Sequence, residues 1–266
     1  MPPCYSHINT GIDMKHLGLF IVLAFSANIY AVEKEIESLY KANNINGSIL
    51  IESADGERKY QYNVNNKESF IPASTFKIPN TLIILEEGLI KDLSEVIPWD
   101  GVEREYAPWN KDQTLKTAFQ YSCVWCYQRY AKMIGDTKYH EYLRSFDYGN
   151  QLTGSEITRF WLDGELRVSV KDQIGFLRKL YKDNLPIQEQ HIKILKDIML
   201  SESNNKIKVW SKTGWSGKDG WYVGYLVVNE QTWFFANHIE IKQRSDLALR
   251  KKLTMDAFKA LKIVQQ

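Results

Sequence analysis

Segments that read as strands occupy both ends of this chain, and a long stretch with helical spacing separates them. Near the start, "GSILIES" from Gly47 and "KYQYNV" from Lys59 run apolar or alternate. They are joined by Ala54-Asp55-Gly56-Glu57, a hairpin signal. After Asn204 the period of two returns in "IKVWSKTG", "WYVGYLVV" and "TWFFANHIEI", with Val228 to Thr232 as a tight connection between the last two. Between these ends the pattern turns helical at Ser74 and continues through Thr114 to Ile134, Thr137 to Phe146, Val170 to Tyr181 and Gln188 to Leu200. Two further helices are predicted outside the strands. Glu33 to Lys41 places Ile36, Leu39 and Tyr40 on one side, and Asp246 to Val264 does the same with Leu249, Leu253, Phe258 and Leu261. An α/β chain of the α+β type follows: one antiparallel sheet flanked by terminal helices, with an inserted all-helical subdomain over roughly 80–200. Residues 32–266 are expected to form a single domain, with a ligand in the crevice between sheet and insertion.

Composition narrows the function classes. Apolar residues make up 44% of the 266, and the formal charge is only +2, so the electrostatic footprint of a nucleic-acid binder is absent. Met14-Lys15-His16 followed by "LGLFIVLAFSANIYA" reads as an export leader over 1–31, with Met14 as the true start and cleavage after Ala31. An N-terminal core helix is the alternative. The run is too short to span a membrane, and no cysteine follows it to carry a lipid anchor. Cleavage removes Cys4 and leaves Cys123 and Cys126 in a C-x-x-C spacing. The five histidines make no ligand pattern with them, so no metal is expected. The pair reads as two small apolar thiols on a buried helix face, with a redox motif as the other reading.

The candidate chemistry begins at "FIPASTFKIPN". S-x-x-K alone is weak evidence, since it occurs three times, at Ser38/Lys41, Ser74/Lys77 and Ser203/Lys206. Only the second stands before an apolar helical run. Pro72-Ala73 suggests an extended entry, and Ser74 is then either an N-cap or a nucleophile. One turn along the same face, Lys77 can reach it. A lysine acts as a base only when neutral, and burial among apolar groups favours that form. On these residues alone both readings stand.

Two later stretches add to it. "YSCVWCYQRY" holds Ser122, which can relay a proton to a leaving nitrogen or simply start a helix. "SKTGWSGKDGWYVGYL" holds Lys212, Thr213 and Gly214 on a strand before a Gly-rich turn. A cation and a hydroxyl there can hold a carboxylate, Gly214 can admit a ligand close to the backbone, and unpaired strand amides can serve as oxyanion donors.

S-T-F-K, S-x-V, Y-G-N (Tyr148-Gly149-Asn150) and K-T-G, in this order, resemble the class D (oxacillinase-type) serine β-lactamases of the penicillin-recognising superfamily. "FWLDGELRVS" and "FLRKLY" carry the same resemblance, which runs from about Asn46 to the terminal helix. It implies a β-lactamase/transpeptidase-like fold and hydrolysis of penicillin-type antibiotics through an acyl-enzyme on Ser74, giving resistance. It also implies that Lys77 is an N6-carboxylysine, formed with CO₂ or bicarbonate and serving as general base in both half-reactions. By the same resemblance Trp161 donates its indole N–H to that group, Val124 crowds it, and Ser122 passes a proton to the lactam nitrogen. Lys212, Thr213, Gly214 and Arg250 hold the substrate, and the backbone N–H groups of Ser74 and Trp215 form the oxyanion hole. Tyr148 and Asn150 shape the loop beneath the site, and Trp109 forms a rim wall. Without the resemblance, Trp161 reads as core and Arg250 as a solvated helix charge.

The expected partners are small-molecule β-lactams, without nucleic acid or a membrane anchor after cleavage, in an exported, periplasmic bacterial protein. Rivals are a β-lactam-sensing receptor domain and a D,D-peptidase, which acylate without rapid turnover, and a non-enzymatic structural protein. Which β-lactams are preferred, the oligomeric state and the oxidation of Cys123 and Cys126 are not encoded in these motifs.

Overall fold

The structure, a computed structural model, describes residues 33–65 and 67–265; the leader expected over 1–31 lies outside them. A helix over 33–42 (α1) leads into β1 (Gly47–Ser53) and β2 (Lys59–Tyr62). Helices α2 (Lys77–Glu86), α3 (Leu115–Gln120), α4 (Val124–Ile134), α5 (Asp136–Phe146), α6 (Val170–Tyr181) and α7 (Glu189–Met199) follow before the chain returns to strands. These are β3 (Leu200–Ser203), β4 (Ile207–Ser216), β5 (Asp219–Val228) and β6 (Gln231–Glu240), and α8 (Leu249–Ala260) closes the fold.

The strands form one six-stranded sheet in the order β2-β1-β6-β5-β4-β3. Every neighbouring pair is antiparallel, and β1 lies against the last strand with Gly47 opposite Ile239 and Ser53 opposite Trp233. Both faces are covered. Tyr222 and Leu226 of β5 join Ile36, Tyr40, Leu253 and Phe258 in a core under the terminal helices. Trp221, Val223 and Tyr225 face a larger core shared with α2, α4, α6 and α7. That double cover is why β5 and β6 read as near-continuous apolar runs rather than a strict alternation.

Several boundaries differ from the sequence reading, each for a local reason. The helix expected over Thr114 to Ile134 is two helices, α3 and α4, interrupted at Tyr121-Ser122-Cys123, where Ser122 has a left-handed φ of 55°. α3 starts from a capping box made by Thr114 and Thr117, a signal available in the sequence. The final helix is shorter than expected. A 3₁₀ turn, Arg244–Ala248, precedes it, and Asp246 caps that turn through the N–H groups of Lys242 and Gln243. β3 escaped the sequence reading altogether. It is four residues long, mostly exposed, and sits at the sheet edge.

Candidate active site

Ser74 lies in a 3₁₀ turn, Ala73–Phe76, that runs straight into α2 at Lys77. The extended entry expected at Pro72-Ala73 is not what forms. Pro72 is helical with φ −69°, and Ala73 is left-handed with φ 50°, a conformation costing an alanine roughly 1–2 kcal/mol. Nor is Ser74 an N-cap, because Pro72 holds that position and no side chain caps the turn. Thr75 instead ties the turn down. Its hydroxyl donates to the Pro72 carbonyl at 2.7 Å and accepts from the Gln173 side-chain amide at 2.9 Å. Trp221 donates its indole N–H to the Ile71 carbonyl at 2.8 Å. These bonds leave the Ser74 hydroxyl at the surface of the turn, 8% exposed, with the Lys77 amine 3.5 Å away.

Lys77 is 1% exposed. Its amine lies over the ring of Tyr127 at 4.7 Å. Burial, seconded by the charge of Lys212, holds its pKa well below the ordinary lysine value, so the neutral amine is favoured. Trp161 is fully buried and stacks on Phe76 at 5.7 Å, and its indole N–H has no hydrogen-bond partner among the described residues. Asn80, Gln113, Tyr222 and Trp233 also carry such an orphan among the described residues, and Trp161 differs from them in stacking on Phe76 of the nucleophile turn.

Ser122 occupies the break between α3 and α4, and its left-handed backbone turns the hydroxyl towards β4. There it meets the Lys212 amine at 2.5 Å. Lys212 also donates to the Thr213 carbonyl at 3.0 Å. Burial, and to a lesser extent Arg250, lowers its pKa to about 7. Arg250, at the start of α8, donates to the carbonyls of Gly214 and Leu247 at 2.7 Å each, and burial pulls its pKa down to about 10. Thr213 is half-buried next to Lys212, and Trp215 is exposed at the end of β4, with its indole on the Gly217 carbonyl at 2.8 Å.

Gly214 has a packing role that the sequence reading did not include. A Cβ there would lie 2.9 Å from the Pro72 carbonyl oxygen and 3.0 Å from a Thr75 methyl. The chain's own nucleophile turn approaches this glycine closely, and that approach sets Ser74 beside the edge of β4. The cysteines are corrected. Rather than two free thiols, Cys123 and Cys126 form a disulfide at the start of α4, fully buried beside Ser122. Val124 opens α4, half-buried. Trp109 is half-buried and donates to the Tyr121 carbonyl at 2.9 Å, so it braces the segment before Ser122. Tyr148 is buried against Phe76, and Asn150 ties the loop 147–169 together through Glu165 and Arg167. Tyr127 was not singled out from the sequence. The break at Ser122 hides that it lies three residues beyond Val124 on α4, one turn deeper.

Lys77, Lys212 and Arg250 share one property. Among the described residues none of them has an acidic side chain within ion-pair distance. Positive charge held away from water without a counter-charge is costly, and the buried Lys212 with the half-buried Arg250 makes a patch suited to a carboxylate.

Comparison with known proteins decides the family. The sequence model of the penicillin-binding protein transpeptidase domain matches residues 34–259. The chain is 42% identical over 216 residues to β-lactamase OXA-48 of Klebsiella pneumoniae, covering 78% of this chain and 82% of that protein. It is similar in structure to the class D β-lactamase of Sebaldella termitidis, with TM-score 0.83, 39% identity and coverage of 87% and 97%. The class D β-lactamase YbXI from Nostoc superposes equally well, with TM-score 0.83, 37% identity and coverage of 85% and 98%. The chain belongs to the class D β-lactamases. It is a serine hydrolase of that family. Among the described residues no group of three or more His, Cys, Asp or Glu side chains could hold a metal ion, and no helix is long and apolar enough to cross a membrane.

Proposed function

We propose that this class D β-lactamase hydrolyses penicillin-type β-lactams through an acyl-enzyme on Ser74, with Lys77 as an N6-carboxylysine. Two observations carry this reading: Lys77 is a buried amine whose pKa is lowered and which has no acid partner, and Trp161, stacked on the adjacent Phe76, has a buried indole N–H with no acceptor among the described residues. A carbamate on Lys77 fits both, because it needs a neutral amine to form and brings a negative oxygen that an N–H can hold. Trp161 would hold it, and Val124, at the first turn of α4, would contribute apolar cover. On Lys77 that group supplies a general base for the Ser74 hydroxyl and for the hydrolytic water.

The other residues follow from their positions. The charges of Lys212 and Arg250, with the hydroxyl of Thr213, attract the substrate carboxylate and align the ring with Ser74. The N–H of Ser74, early in its turn with no carbonyl behind it inside that turn, joins the N–H of Trp215 at the β4 end to stabilise the oxyanion. Ser122, bonded to Lys212, passes a proton to the departing nitrogen. A lysine titrating at about 7 is well placed to replace that proton at neutral pH. Leader removal after Ala31 would deliver the enzyme to the bacterial periplasm, where resistance requires it.

Intact mass after brief exposure to ampicillin tests the reading. An adduct on Ser74 that appears and clears as the drug is consumed supports it. A permanent one-to-one adduct indicates a receptor domain, and intact drug with no adduct rules the reading out.

A further inference from the structure

His238 has no part in the chemistry above, yet it is 5% exposed and sits where three site-bearing segments meet. It lies on β6, opposite Trp221 of β5 on one side and Ser48 of β1 on the other. Its Nε2 is 2.9 Å from the Asp219 carboxylate, itself 7% exposed. Phe70 stacks flat on the imidazole, with ring centroids 3.6 Å apart and planes within 12°. Trp221 meets the ring edge-on at 4.9 Å.

Each neighbour leads to a different part of the site. Phe70 is four residues before Ser74 and exchanges backbone hydrogen bonds with Val168 at 2.9 Å, at the foot of the loop that carries Trp161. Trp221 holds the Ile71 carbonyl. Asp219 opens β5, paired with Ser216 across the turn that follows Trp215. One buried imidazole therefore links the nucleophile turn, the Trp161 loop and the β4–β5 hairpin.

We propose that His238 and Asp219 form a positioning pair that fixes the β4–β5 hairpin against the Phe70–Ser74 segment, so that the N–H groups of Trp215 and Ser74 converge on one oxyanion. The proposal rests on the oxyanion roles given under the proposed function. The β5–β6 ladder, the Trp221 bond to Ile71 and the close approach at Gly214 bring the two segments together, and the His238–Asp219 bond adds a side-chain tie at the hairpin end. The hydrogen bond ties β6 directly to the first residue of the hairpin's second strand, while Phe70 ties the same ring to the nucleophile side. His238, Asp219 and Phe70 line a surface pocket whose other charged residues are Glu68, Lys218 and Glu240, and Glu240 accepts from the Asn46 amide. None of them replaces the bond between Asp219 and the imidazole.

The test is a double-mutant cycle with His238→Phe, which keeps the stacked ring, and Asp219→Ala. Acylation by a slow chromogenic β-lactam is followed in stopped flow and normalised to titrated Ser74, so that misfolded protein does not count. Each single variant is expected to lose about tenfold in the saturating acylation rate, with the half-saturating concentration little changed, because only the transition-state alignment suffers. The double variant should be no slower than the slower single one, since both remove the same bond. His238→Gln, which keeps an N–H donor near Nε2, should recover most of the rate. Additive losses, or single variants acylating at the parental rate per titrated site, would overturn the proposal. If the parent itself forms no Ser74 adduct, the underlying oxyanion reading fails instead, and the two failures are distinct.

Discussion

Beneath the terminal helices, Tyr40, Asn237 and Thr254 are all fully buried. The Tyr40 hydroxyl donates to the Asn237 side-chain oxygen at 2.7 Å. The Asn237 amide donates to the Thr254 hydroxyl and to the Arg250 carbonyl at 2.9 Å each. Across the sheet, Lys77 and Trp161 are buried as deeply, but the amine has only a long contact with Ser74 and the indole N–H has none. A closed polar network stabilises and specifies the fold, whereas an open one costs stability and is kept for a ligand or a modification. Tyr222 and Trp233 on the terminal-helix side also hold buried polar atoms without a partner, so what distinguishes the helical side is the buried Lys77 amine beside Ser74 rather than an orphaned N–H alone.

The largest expected effect breaks the open region. Lys77→Met should lower Ser74 acylation by roughly 10³-fold, since the base is gone, and should raise thermal stability because a buried polar group without a counter-charge is removed. Stopped-flow kinetics and a melting curve on the same sample check both halves. Next, Trp161→Phe keeps the aromatic packing and deletes the open N–H. Deacylation should slow by roughly 10²-fold, with partial recovery when bicarbonate is added. Parental penicillin turnover without bicarbonate would show that the indole N–H has no such role.

A smaller effect concerns the cation pair. Lys212 has its pKa lowered to about 7, so it is charged below that pH and neutral above it. Arg250, lowered only to about 10, keeps its charge throughout. KM for a penicillin should therefore rise a few-fold as pH increases from about 6 to about 8, because one of two carboxylate-binding charges is lost. A KM that falls over that interval would contradict the assignment. The smallest effect probes the closed network. Tyr40→Phe should cost about 1 kcal/mol in urea unfolding and leave turnover per titrated Ser74 unchanged.

The layers of the fold were legible because periodicity records burial. The strand patterns from Gly47 and after Asn204, and the helical spacing between them, placed the sheet, and β4, β5 and β6 came out within two residues of their expected ends. The order of Ser74, Lys77, Ser122 and Lys212 along the chain was readable for the same motif reasons that identify the family. The interruption at Ser122 was not. A left-handed serine between two helices goes with a tertiary contact to the Lys212 amine and a local disulfide beside it, and no local propensity announces it. The packing role of Gly214 was not legible because its neighbour in space, the Pro72–Thr75 turn, is remote in sequence. The cysteine pair was misread because C-x-x-C at a helix start suits either two packed thiols or a bridge, and the choice depends on geometry. Tyr127 and His238 carried no signal beyond ordinary strand or helix positions, and only their partners reveal them.

Carbon-13 NMR of the enzyme equilibrated with labelled bicarbonate bears most directly on the role of the open pocket. The account predicts one slowly exchanging carbamate carbon per chain, absent in Lys77→Met and weakened in Trp161→Phe. An enzyme that turns over penicillins at full rate with no such resonance would contradict it.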